Sequence, residues 1–120
     1  MTNREYETMI REITTTTPTV YPMRGRTGNP VANQYVSHVN GAYVFQSYNV
    51  RIAAFDLATR TLILGLNWDY SVTTQKYLWQ FIRNYTTLAS VINAHGKRTG
   101  AQNIRAAIDA GEIVYLKGWE

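Results

Sequence analysis

Cysteine is absent from this chain of 120 residues, which excludes disulfides and thiolate metal sites. A cysteine-free chain fits a reducing cytosol. Long apolar runs are missing too: no stretch approaches the roughly 18 residues of a membrane span. The N-terminus, Met-Thr-Asn-Arg-Glu-Tyr-Glu, is polar and carries acids, unlike a secretory signal. Histidine is nearly absent. His38 and His95 stand far apart, so capping or core roles are expected and no metal site. Ser37, Ser47, Ser71 and Ser90 lack a Gly-x-Ser-x-Gly elbow. Gly25 and Gly28 lack the Gly-Lys-Ser/Thr ending of a phosphate loop. No cofactor motif is present, and none is expected to be bound.

The acids are three aspartates and five glutamates, scattered along the chain. A carboxylate pair would require Asp56 and Asp69 to meet. Asp56 reads instead as a turn residue bonding its own backbone. Asp69, between Trp68 and Tyr70, reads as a salt-bridge or capping residue, with Lys76, Arg51 and Arg60 as candidate partners. An enzymatic reading would need a site assembled from Asp69, Tyr70 and His95, and a non-enzymatic protein is expected. The net charge of +4 is ordinary for a soluble surface. Its basic residues cluster beside glycines at Arg24, Arg26 and at Lys97, Arg98, which makes these four the candidate partner-binding cations.

What the chain has in quantity is aromatic rings beside amides and hydroxyls. Between Asn29 and Phe81 lie Asn-Pro-Val-Ala-Asn-Gln-Tyr, Phe-Gln-Ser-Tyr, Asn-Trp-Asp-Tyr-Ser and Lys-Tyr-Leu-Trp-Gln-Phe. Phe45, Tyr48, Trp68, Asp69, Tyr70 and Tyr77 are therefore candidates for structural or binding roles. Tyr35, Tyr43 and Phe45 could line an open base-stacking face, although strand aromatics more often fill a core. Asn33, Gln34 and Gln46 would then bond backbone edges and fix register.

The apolar spacing of Tyr6, Met9, Ile10 and Ile13 predicts a helix over 3–13, and the Thr14–Thr17 run disfavours its continuation. Pro18 and Pro22 bracket a short edge strand, Thr-Val-Tyr. Asn40-Gly41 predicts a type I′ hairpin between strands 32–39 and 42–48, followed by strands 50–56 and 61–66. Tyr43 and Phe45 fall on one face, as do Leu62 and Leu64. Ser71, Thr73 or Thr74 can cap a helix carrying Tyr77, Leu78, Phe81, Ile82 and Tyr85. A second helix carries Leu88, Val91, Ile92 and His95 and stops at Gly96. A third covers 101–110, and 113–116 is a last strand. The fold class is α+β: an antiparallel sheet of three to five strands with two to four short helices packed on it. One domain spans 1–120: an N-terminal arm or helix plus loop over 1–28, a core over 29–82, a helical insert over 83–100, and a helix and last strand over 101–120.

The motifs resemble a family of small uncharacterised bacteriophage and prophage proteins. The similarity rests on Asn29–Tyr35, on Phe45–Tyr48 with Ile52, on Trp68–Tyr77 with Gln80-Phe81, and more loosely on Ile108–Leu116. Arg83–Gly100 and the N-terminal arm depart from it. The resemblance implies a phage or mobile-element accessory protein in the bacterial host cytoplasm. Such a protein would bind and modulate a host protein, with a CRISPR–Cas nuclease or another defence component as the type of target and an anti-CRISPR as one form. It would have no membrane partner. The alternative is a small nucleic-acid-binding regulator using Arg24, Arg26, Arg51, Lys97, Arg98 and Arg105.

Overall fold

The computed structural model describes residues 3–15, 19–96 and 100–119. In chain order the elements are α1 (Asn3–Thr15), β1 (Thr19–Arg24), β2 (Pro30–Val39), β3 (Ala42–Ser47), β4 (Val50–Asp56), β5 (Thr61–Gly65), α2 (Val72–Tyr85), α3 (Ala89–Asn93), α4 (Gly100–Asp109) and β6 (Val114–Leu116). The six strands form one sheet in the order β1-β2-β3-β4-β5-β6.

The α+β class matches expectation, but the sheet has six strands where three to five were expected. The edge strands are β1 and β6, both of which the sequence suggests as short strands. β1 accommodates Pro22 because an outer strand needs only half of its backbone groups paired. β6 joins β5 in parallel, a pairing that requires a long crossover. The segment holding α2, α3 and α4 provides it.

The sheet buries both faces. Phe45, Ala53, Phe55, Leu62 and Leu64 pack with Leu78, Phe81 and Ile82 of α2, Ile92 of α3, and Ile104 and Ala107 of α4. On the opposite face, Val39, Ala42, Val44, Ala54 and Ile63 pack with Ile10 and Trp119, flanked by Tyr6 and Met9 of α1. Double coverage explains why β4 and β5 read as unbroken apolar runs rather than alternating ones. In β4 a bulge adds to this: Phe45 pairs with Ala53 and Gln46 with Arg51, so Ile52 is the extra residue. Ile52 and Ala53 consequently both join the helix-side core.

The Asn40-Gly41 turn forms as expected, with φ of 47° and 75° and Val39 opposite Ala42. Ser71 caps α2, its hydroxyl accepting from the Thr74 amide at 3.0 Å. α1 continues through Thr15, two residues past its expected end. α3 is only five residues long, and its residue Ile92 is fully buried. The segment read as a helical insert is therefore core-forming on one side, with Tyr85 and Leu88 packed there as well. Ile13, Thr16 and Thr17 carry expectations that fall outside what is described, the first for its side chain.

A candidate binding cleft where the aromatic motifs meet

One tight turn and one sheet-to-helix junction build a cleft at one end of the sheet. β3 and β4 are joined by only Tyr48 and Asn49, since Ser47 pairs with Val50. Such a turn needs a residue with positive φ, and here Tyr48 takes φ 55° while Asn49 does not. Glycine usually fills the first position of this turn pattern, and a bulky side chain there is a backbone outlier. Two hydrogen bonds hold it: the Tyr48 amide donates to the Asn33 carbonyl at 2.6 Å, and the Gln46 side-chain amide donates to the Tyr48 carbonyl at 2.8 Å. Asn33 is itself at φ 65°. It lies where β2 carries extra residues against β1, between the Pro22–Tyr35 and Arg24–Pro30 pairs.

Across from this turn runs the β5–α2 junction. The cleft between them has a volume of about 420 Å³ and is lined by Ser47, Tyr48, Val50, Ile52, Asn67, Tyr70, Ser71 and Thr74. Tyr48 and Tyr70 are 59% and 79% exposed. Ser47 is buried, and its hydroxyl has no hydrogen-bond partner. Directly across the β2–β3 ladder stands Gln34, also buried, with its side-chain carbonyl unpartnered. Asn33-Gln34, Ser47-Tyr48 and Tyr70-Ser71 come from three separate motifs, and the fold brings them to one place. Among the described residues, no charged side chain lines the cleft.

The other candidates divide between core and surface. Phe45 is fully buried and stacks on Phe81 at 5.9 Å, and Tyr43 lies against Tyr85 at 5.1 Å. Helices cover that face, so the open stacking platform is not formed. Trp68 is buried in the core, with the Arg105 guanidinium 5.4 Å from its ring. Asp69 accepts from Arg105 at 2.9 Å, not from Lys76, Arg51 or Arg60. The partner sits on α4, 36 residues away, which local sequence could not reveal. Tyr77 is half-buried against the core with Lys76 over its ring. Asp56 accepts from the Thr59 amide at 3.2 Å within its turn, as expected.

His95 contacts Glu112 and Asp69 contacts Arg105, so Asp69 and His95 have separate side-chain partners and do not form one group with Tyr70. No cluster of three or more His, Asp or Glu suited to a metal occurs among the described residues. No described helix is long and apolar enough to cross a membrane. Arg24 ends β1 and Arg26 lies on the β1–β2 loop, both exposed, and Arg24 donates to the Gly28 carbonyl at 2.9 Å. Lys97 and Arg98 lie outside the described residues.

Sequence reasoning missed Ser47, Val50, Ile52, Asn67, Ser71 and Thr74 as cleft residues. The available signal was the two-residue spacing of Ser47 and Val50, which forces a tight turn onto a tyrosine. No curated protein and no solved structure matches the chain. The model of the Family of unknown function (DUF8033) matches residues 19–99, a span containing the whole lining of the cleft, and the chain belongs to that family.

Proposed function

We propose that this protein is a non-enzymatic binding protein that acts by stoichiometric contact with a protein partner, using the cleft between Tyr48 and Tyr70. The observation that carries the reading is Tyr48. An exposed tyrosine held at φ 55°, lining one cleft with a second exposed tyrosine and with Val50 and Ile52, is a costly arrangement for packing alone. Exposed aromatics around a concave site are typical binding anchors. The motif resemblance supports the finer form of the proposal: a phage or mobile-element accessory protein in the bacterial cytoplasm, with a host defence component such as a CRISPR–Cas nuclease as the partner. The exposed Arg24 and Arg26 would steer association with an acidic surface.

The test is a capture experiment from bacterial lysate run in parallel with wild-type protein and Tyr70→Ala. Tyr70 is 79% exposed, so its truncation should leave the fold intact, as circular dichroism would verify. A host protein retained in stoichiometric amount by wild type and lost with Tyr70→Ala supports the proposal. Equal retention by both removes the cleft from the interface. Retention of nucleic acid alone, released by salt, favours the regulator reading.

A further inference from the structure

We infer that the cleft takes a neutral, proline-containing extended segment of the partner protein, bound as a polyproline II helix. The inference rests on the cleft being the binding site, as proposed above. Three features of the lining point to this chemistry. First, no cationic side chain lines the cleft among the described residues, so a phosphate-bearing strand would find no counter-charge there. A segment rich in acids or bases would likewise lose hydration without gaining a partner.

Second, Val50 and Ile52 are the aliphatic part of the lining, and the exposed Tyr48 and Tyr70 are its aromatic part. Flat apolar and aromatic surfaces suit pyrrolidine rings, and aromatic-lined grooves are the recurring mode of polyproline recognition. Third, the polar residues of the lining besides the tyrosines are Ser47, Ser71, Thr74 and Asn67. Ser71 and Thr74 already bond each other at 3.0 Å and the Ser47 hydroxyl is sealed from the surface, which leaves the Asn67 side-chain amide and the hydroxyls of the exposed Tyr48 and Tyr70 as the donors a ligand can meet. A polyproline helix presents unpaired backbone carbonyls and, at each proline, no N–H. Side-chain donors that can reach a carbonyl, set beside apolar and aromatic surface, are complementary to that backbone. The stiffness of the helix also lowers the ordering entropy lost on binding.

The experiment is an amide NMR titration of the ¹⁵N-labelled full chain with three probes. These are an N-acetylated, C-amidated decaproline peptide, an alanine–serine peptide of equal length, and single-stranded oligodeoxythymidine. The expected result is saturable shifts at Ser47, Tyr48, Asn67, Tyr70 and Ser71 with decaproline, a dissociation constant below about 1 mM, and no such shifts with the other two. Tyr70→Ala should weaken decaproline binding about tenfold or more. Asn67→Ala should weaken it about threefold to tenfold, the range for one hydrogen bond, in a protein shown by circular dichroism to remain folded.

Absence of shifts with decaproline overturns the inference, as does equal binding of the alanine–serine peptide. Saturable cleft shifts with oligodeoxythymidine overturn it in favour of a base-stacking site. If decaproline fails while lysate capture remains dependent on Tyr70, only the ligand class is wrong. If capture is also independent of Tyr70, the binding site itself is misplaced.

Discussion

Replacing Tyr48 by glycine should leave the protein about as stable as wild type while removing one wall of its cleft. Tyr48 is held at φ 55°, a region that costs a non-glycine residue roughly 1–2 kcal/mol. Glycine releases that strain. Against it stand two losses. The side chain is 59% exposed, so about two fifths of the roughly 1.5–3 kcal/mol available from burying a large side chain is given up, or about 1 kcal/mol. Glycine also loses about 0.5–1 kcal/mol of extra backbone freedom on folding. The terms nearly cancel, and Tyr48→Gly should lie within about 1 kcal/mol of wild type.

Tyr48→Ala is the informative comparison. Alanine loses the same ring contacts but keeps the strain, so it should be about 0.5–1 kcal/mol less stable than glycine. Urea denaturation of the three proteins, with equal slopes, measures both differences. A glycine variant clearly less stable than the alanine variant would refute the reasoning, because it would mean that Tyr48 is not strained. The turn would then offer no sign of selection for binding over stability.

Three further outcomes test the scaffold. Trp68→Ala should cost about 3–5 kcal/mol by opening a cavity in the helix-side core, seen as a large drop in the denaturation midpoint; a folded variant of unchanged stability would place Trp68 outside the core. Gly41→Val should cost roughly 1–3 kcal/mol, because φ 75° in the Asn40-Gly41 turn is strained for a β-branched residue, and an unchanged melting temperature would show the turn to be otherwise built. Gly65→Ala places a Cβ 2.6 Å from the Trp119 carbonyl, so calorimetry should show a loss of about 1–3 kcal/mol; no loss would mean that the C-terminal segment does not pack there.

Much of the fold was legible because local signals agreed with tertiary packing. Asn40-Gly41 set the first hairpin, and alternation put Phe45 and Leu64 on the same face. The 3.6-residue spacing placed Leu78, Phe81 and Ile82 inward on α2. The edge strands were harder to count, because a proline within β1 and a three-residue β6 weaken the pattern, and their pairing depends on neighbours distant in sequence. The motifs were visible as aromatic and polar clusters, but not their division between core and surface. Trp68 and Tyr70 lie two positions apart, yet one is buried and the other is 79% exposed. That split follows from the turn between β5 and α2, where the Trp68 and Tyr70 amides bond the Gly65 and Asn67 carbonyls in successive turns. The cleft itself was hidden because Ser47 and Ser71 come to one place only once the sheet and α2 are assembled.

Titration calorimetry of the captured partner against wild type, Tyr48→Gly and Tyr70→Ala reads the binding role of the cleft without interference from stability. Each variant changes a side chain that is more than half exposed. The expected result is one partner bound per chain by wild type, affinity lower by about tenfold or more in each variant, and denaturation midpoints close to wild type. Affinities equal to wild type in both variants would contradict the assignment of this cleft as the partner site.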